Sequence, residues 1–304
     1  MEIKRTVHPE GTLGFKLFVY PLIFFFSSLP FIVLQALSNG IYFIVYKLLK
    51  YRVRVVKDNL KRSFPNKTED ELLKIEKGYY RHLSDLFLET FKGLTMSRDS
   101  LKNRMKNVDQ HIYDDFHSKN QSFIVVMSHC GNWEWICDMS QVVCQQQVQC
   151  VYKTLSSKGF DWLMYKIRSR FGAIPMPMEQ TLRIMTANKE RTTVTAFIGD
   201  QNPSSGKTAH WSFILNQDTP FMNGPEKIAK KFNYPIVYLS STKVRRGYYE
   251  AHSKVIVSNP SDYKDGEITD LIAKHTELEI LNQPEIWLWS HRRWKHKKEI
   301  SIES

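Results

Sequence analysis

The rhythm of apolar and polar positions changes twice along this chain. Across positions 17–46 there is no charged residue and no recurring polar face, so the segment lacks the polar stripe of a soluble surface helix. A secretory leader carries an apolar stretch of only about 7 to 15 residues, whereas roughly 20 apolar residues already span a bilayer as one helix. The segment therefore predicts a membrane element that is retained. Pro21 and Pro30 are expected to interrupt its backbone ladder, giving a tilted or kinked span or a re-entrant pair of short helices. Across 51–109 the period is helical. Asn59-Leu60 and Phe64-Pro65 close one element, and Thr68-Glu69-Asp70-Glu71 opens another as a capping box. Leu72, Leu73, Ile75, Tyr79, Leu83, Leu86, Phe87 and Phe91 then follow at helical spacing. Beyond them, short apolar runs predict strands at 123–127, 148–152, 192–198 and 236–239, with helices between them near 133–144, 160–170, 179–188 and 226–232. Strand then helix, repeated, predicts an α/β fold with a central, mostly parallel sheet flanked by helices. Active-site groups are expected at the C-terminal ends of its strands. The divisions are a membrane anchor over 1–50 and a second domain over 51–304, itself a helical lead-in over 51–115 and an α/β part over 116–304.

Composition narrows the partners. The chain has 304 residues, 42% hydrophobic and 13% aromatic, which excludes a disordered or collagen-like protein. A net charge of +12 calls for anionic partners such as nucleic acid, an acidic membrane surface or phosphorylated molecules. Before the apolar segment the basic residues are Lys4, Arg5 and Lys16; after it come Lys47, Lys50, Arg52, Arg54, Lys57, Lys61 and Arg62. A single span would therefore leave the large C-terminal part in the cytoplasm, with the basic excess facing anionic lipid rather than nucleic acid. Near the C-terminus Arg292, Arg293, Lys295, Lys297 and Lys298 accompany Trp287, Trp289 and Trp294. No nucleic-acid reader fold is recognisable around them, so they read as an interfacial cluster, or, for Trp287 and Trp289, as inward-facing core. The four cysteines, Cys130, Cys137, Cys144 and Cys150, form no CxxC pair. They predict buried thiols in a reducing compartment, with neither a disulfide framework nor a zinc site.

Chemistry concentrates after the first buried strand, in His129-Cys130-Gly131-Asn132-Trp133-Glu134. On one continuous helix His129 and Glu134 would lie about 140° apart, so His129 belongs to the turn. Gly131 lets the chain fold back, and Asn132 is placed to cap the helix that follows. Glu134, in the first helical turn, is expected to stay ionised and accept a hydrogen bond from one imidazole nitrogen, leaving the other as a base. That is an orienter and a base without a protein nucleophile, suited to deprotonating a substrate hydroxyl. Cys130 as a thiol nucleophile is the rival reading of the same turn.

The His-x-Gly-Asn-Trp-Glu arrangement of His129 to Glu134 resembles the signature of the glycerolipid acyltransferase superfamily. It is closest to the branch of late acyltransferases of lipid A biosynthesis, the lauroyl and myristoyl transferases. Asn59-Leu60 with Phe64-Pro65, Tyr152-Lys153, Arg168-x-Arg170, Asp200-Gln201 and the terminal Trp289-Ser290-His291-Arg292-Arg293-Trp294-Lys295 resemble further family segments in the same order, over about 15–296. The resemblance implies transfer of a fatty acyl chain from acyl carrier protein, or coenzyme A, to a hydroxyl of a lipid A precursor, with no further cofactor and no metal. It implies His129 as general base with Glu134 as orienter. Arg168 and Arg170 would hold acceptor phosphate in a bidentate fork or neutralise the thioester oxyanion, and Asn132, Asp200 and Gln201 would bind substrate. Lys153 stands where the family carries arginine and loses that fork. The implied location is the bacterial inner membrane, with the catalytic domain on its cytoplasmic face. Two alternatives remain: a lysophospholipid or lyso-aminolipid as acceptor, or a non-catalytic basic protein that binds membrane or nucleic acid.

Overall fold

The structure, a computed structural model, describes residues 9–203 and 209–298; Lys4 and Arg5 lie outside them. The apolar N-terminal segment forms two helical pieces. A π-helical turn, Phe15–Val19, runs into α1 (Tyr20–Ser28), and α2 (Phe31–Tyr42) continues into a π-helical stretch, Phe43–Leu48. Pro21 follows directly on the junction between the π-helical turn and α1, inside continuous helical backbone, and having no N–H it leaves one bond out of that ladder. The chain stays helical past it, whereas Pro30, at an extended junction with Leu29, separates the two pieces. Carbonyls freed by this break are taken up from elsewhere. Lys92 Nζ donates to the oxygens of Ser27 and Leu29 at 2.7 and 2.8 Å, and the Thr95 hydroxyl also donates to Ser27. Among the described residues Phe31–Leu48 is the one helix long and apolar enough to cross a membrane, and most of it faces outward.

Helix α3 (Val53–Ser63) and the long α4 (Glu69–Lys92) follow. The start of α4 is fixed by the foreseen capping box: Thr68 N donates to Glu71 Oε2 at 2.8 Å and Glu71 N donates to Thr68 Oγ1 at 3.3 Å. Phe87, counted with the apolar stripe, is exposed, while the buried side carries His82, Asp85 and Glu89 beside Tyr79, Tyr80 and Leu86. Next come α5 (Arg98–Arg104), strand β1 (Met105–Asn107) and α6 (Gln110–Ser118). The α/β part then runs β2 (Phe123–Met127), α7 (Trp133–Val143), β3 (Gln147–Tyr152), α8 (Lys158–Arg168), β4 (Ile174–Pro177), α9 (Thr181–Ala187) and β5 (Thr193–Ile198). After a hairpin of β6 (His210–Ile214) and β7 (Gln217–Phe221) it closes with α10 (Gly224–Phe232), β8 (Ile236–Arg245), β9 (Tyr248–Val257) and α11 (Glu267–Asn282).

Seven strands form one sheet in the order β1-β9-β8-β2-β5-β3-β4, parallel throughout except between β8 and β9. This is the anticipated mostly parallel α/β sheet. Central β2 is buried at every position, as expected of a strand covered on both faces. Phe123, Val125 and Met127 enter one core with Trp135 and Ile136 of α7, whereas Ile124 and Val126 enter another with Ala229 of α10 and Ile268 and Ile272 of α11. The elements absent from the sequence reading are the edge strands β1 and β4, the β6–β7 hairpin, β9 and α11. Two prolines disguise β4, tolerated because it pairs on one side only. The expectation of thiols alone is also corrected. Packing of α7 against the sheet brings Cys137 and Cys150 together in a disulfide with 6.6 Å between their Cα atoms, while Cys130 and Cys144 remain free.

Since the Thr68 hydroxyl and Glu71 hold the first turn of α4 between them, Thr68→Ala is expected to lower stability by about 1 kcal/mol. Thr68→Ser should restore most of it, as read by thermal unfolding of the purified chain.

Candidate active site

The site is built by strand register. Parallel β2 and β5 are paired so that Phe123 lies beside Val194 and Met127 beside Ile198. Gly199 N donates to Met127 O at 3.0 Å and carries this register past the strand ends. Two residues on, His129 and Asp200 meet. Nδ1 of His129 donates to Asp200 Oδ1 at 2.6 Å, its backbone N–H donates to Oδ2 at 2.9 Å, and Trp287 Nε1 also donates to Oδ2 at 2.7 Å. Burial works to raise the Asp200 carboxyl, but the His129 charge and these donors outweigh it and hold the group ionised, well below the usual carboxylate range. The His129 side chain stays 15% exposed while that of Asp200 is 2% exposed, so one nitrogen is anchored and the other faces outward. Gln201 Nε2 donates to that second nitrogen, Nε2, at 3.2 Å.

Glu134 does not orient the imidazole, contrary to the expectation from sequence. From the first turn of α7 it faces α8, where Arg168 donates through Nε and Nη2 to its two oxygens at 2.8 and 2.7 Å. Burial opposes the charge on both groups, yet the pairing lowers the Glu134 carboxyl and raises the Arg168 guanidinium. Two side chains on adjacent helices complete each other, and no sequence spacing encodes that. Glu134 remains close enough for His129 to contribute to its electrostatics. One turn further along α7, Asp138 is fully buried with neither carboxylate oxygen bonded among the described residues, and burial pushes its carboxyl well above the ordinary carboxylate range.

The turn between β2 and α7 is held from below. Gly131 has φ +60°, and a Cβ there would sit 2.2 Å from Ser241 Oγ, so this position requires glycine. Asn132 caps α7 as expected, its Oδ1 accepting from Trp135 N at 3.1 Å. Its Nδ2 donates to Glu89 Oε2 at 2.8 Å and it is fully buried, which corrects its assignment to substrate binding. Cys130 points into the core, where burial raises its thiol far above the ordinary value; it cannot supply a thiolate. Ser128, on the other side of His129, donates to Glu279 Oε2 at 2.7 Å, and Tyr238 Oη and Ser241 N donate to the same carboxyl at 2.8 and 2.6 Å.

The remaining candidates divide. Arg170 is turned away, donating to the carbonyls of Gly93 and Met96 after α4 rather than joining Arg168. Lys153 lies exposed just beyond β3. The terminal motif is internal in part: Trp289 and Arg293 are fully buried and the preceding Trp287 is 2% exposed, while Arg292 and Lys295 are exposed, and Arg293 donates to Asn202 Oδ1 and Pro220 O at 3.0 and 2.7 Å. Trp287 and Trp289 are thus the inward-facing core that was one of their two readings, and Arg293 is scaffold as well, which corrects the interfacial reading for that residue. Asn59 joins the early motif to the terminal one: its Nδ2 donates to the carbonyls of Trp289 and His291 at 2.9 and 3.0 Å. The sequence reading missed Trp287 as a donor to Asp200. It also missed His291, whose half-buried ring is held well below the ordinary histidine pKa, at about 4, by burial. The Trp-x-Trp pattern carried no signal for the first.

Residues 8–296 match the family model described as bacterial lipid A biosynthesis acyltransferase. The chain is 23% identical over 297 residues to the lipid A biosynthesis palmitoleoyltransferase of Escherichia coli, covering 96% of this chain and 94% of that protein. The lipid A biosynthesis acyltransferase of Shigella flexneri matches with the same identity and coverage.

Burial raises Glu279 to about 7 in spite of its three donors. A carboxyl with a raised folded pKa stabilises below its unfolded value near 4.5 and loses that contribution as pH climbs through 7. The wild-type chain is thus expected to lose up to about 3 kcal/mol from this group between pH 5 and pH 8, a slope that Glu279→Gln should flatten in denaturation series across that range.

Proposed function

We propose a reaction for this chain from one established premise: it belongs to the bacterial lipid A biosynthesis acyltransferase family and is an acyltransferase with a lipid acceptor. In the proposed reaction His129 is the general base. With Asp200 ionised, Nδ1 carries the proton it donates to Asp200, and Nε2 presents its lone pair to the outside. The Gln201 amide, which donates to Nε2 in the resting arrangement, gives way to an acceptor hydroxyl. Nε2 takes the hydroxyl proton as the oxygen attacks the carbonyl carbon of an acyl thioester. The tetrahedral intermediate collapses with cleavage of the C–S bond, and the imidazolium returns its proton to the leaving thiolate. One ester and one thiol result, and no acyl group is attached to the protein.

The pairing of His129 with Asp200 at 2.6 Å carries this reading. A buried carboxylate that already accepts three donors stabilises the imidazolium formed in the transition state without reorganising. Asp200 thereby takes the orienting role. Glu134 acts at one remove, by fixing Arg168: with Nε and Nη2 engaged on Glu134, the Arg168 fork is no longer free to clasp a phosphate, and its Nη1 is the group left for the thioester oxygen. Acyl carrier protein or coenzyme A would bring the thioester, and a hydroxyl of a lipid A precursor would accept the chain. The exposed apolar helix Phe31–Leu48 supports a catalytic domain held at the membrane, for which we propose the cytoplasmic face of the inner membrane and its anionic lipid surface.

In an acyl-transfer assay with acyl carrier protein thioester and a lipid A precursor, His129→Ala is expected to cost about 10²–10⁴ in kcat. Asp200→Asn should cost about 10² or more, because the amide favours the wrong tautomer. Turnover retained by a folded His129→Ala chain would refute the mechanism.

A further inference from the structure

A cavity of about 290 Å³ lies between α2, α4 and the β8–β9 turn, and His129 is not among its walls. Three of its lining residues are cations, Arg81, Lys243 and Arg246, against one carboxylate, Asp85. Asp85 is almost fully buried and already saturated. Its Oδ1 accepts from Ser38 Oγ at 2.7 Å and from Arg246 Nε and Nη2 at 2.8 and 2.6 Å, and its Oδ2 accepts from Lys243 Nζ at 3.2 Å. The next carboxyl along α4, Glu89, is committed to Asn132 and Tyr249. Arg81 has no ion-pair partner among the described residues and lies over the ring of Tyr42 at 5.5 Å. The recess thus holds two more positive charges than negative ones. Lys243 and Arg246 are only partly solvated while Arg81 stands at the exposed rim, so an anion entering the recess would offset the surplus charge on both its inner and outer sides.

We propose that this cavity binds the phosphate of an anionic lipid headgroup. Two guanidinium groups and an ammonium can each donate to phosphate oxygens, and the planar fork of arginine matches that anion. The lipid source follows from the opposite wall. Ser38, Asn39 and Tyr42 belong to α2, part of the outward-facing apolar helix Phe31–Leu48, so acyl chains can lie along that helix while the headgroup enters the recess. This rests on placing α2 in the bilayer and not on the chemistry at His129. The cavity also touches the active-site turn. Lys243 Nζ donates to His82 Nδ1 at 3.4 Å, and His82 Nε2 donates to Gly131 O at 3.1 Å, so an occupant held by Lys243 is two hydrogen bonds from the backbone that positions His129.

The test is calorimetric titration of the full chain in detergent with dioctanoyl phosphatidylglycerol, dioctanoylglycerol and inorganic phosphate as separate probes. Saturable binding of the phosphatidylglycerol and none of the phosphate-free diacylglycerol is expected. Arg81→Gln, an exposed position with no carboxylate to leave unpaired, should weaken binding by at least about tenfold. Asn39→Asp, which adds a carboxylate at the exposed rim, should weaken it likewise, both variants keeping the wild-type unfolding temperature. Binding of inorganic phosphate as tight as that of the lipid, with the same loss in Arg81→Gln, would overturn the lipid as source while keeping the anion site. Absence of saturable binding, or affinities unchanged in both variants, would overturn the site itself.

Discussion

The arrangement depends on the register between two buried parallel strands. Because β2 and β5 pair with Met127 beside Ile198, the residues just past their ends are brought level, and an imidazole and a carboxylate far apart in sequence become hydrogen-bonded neighbours. A slip of one residue would turn alternate side chains of β2 into the wrong core, so the packing that fixes the fold also fixes the site. Asp200 then gathers three donors from two segments, His129 from the β2 turn and Trp287 from near the C-terminus. Its carboxylate is as much a structural knot as a chemical group.

A second constraint is polar and runs beneath that turn. His82, Asp85 and Glu89 lie on the buried side of α4, where an amphipathic helix would ordinarily place apolar residues. Glu89 holds Asn132, His82 meets Gly131, and Asp85 ties Ser38 of α2 to Lys243 and Arg246. Buried ionic groups of this type are poor sources of net stability, since desolvation offsets the attraction. They are demanding about geometry, and here they tie α2 to α4 and to the end of β8. The same feature leaves a local excess of positive charge at that boundary.

The sequence segments that carry the family resemblance acquire separate physical meanings. Asn59 and the terminal tryptophans are one scaffold, joined by the Asn59 amide. Arg168 and Glu134 are one ion pair. Arg170, two residues from Arg168, closes a different turn altogether. Proximity in sequence therefore misled at Arg168-x-Arg170 and at His129 to Glu134, where neighbours along the chain serve different partners in space.

The sequence by itself determined the fold class, the central strands, the capping box at Thr68, the Asn132 cap, the Gly131 turn and the presence of an apolar segment. All of these are written in local periodicity, turn chemistry or backbone conformation, which depend on residues close together in the chain. It also placed His129 at a strand end, because a buried apolar run must stop where polar chemistry begins. Tertiary structure alone decided that Asp200 rather than Glu134 meets the imidazole, that Cys137 and Cys150 join, that Asn132 and Arg293 are buried, and that Arg81, Lys243 and Arg246 converge on one recess. Those outcomes depend on sheet order and on which helix faces which strand. They link residues from 13 positions apart, for Cys137 and Cys150, to 161 apart, for Asp85 and Arg246, and a single chain read along its length does not say which of its residues meet across such separations.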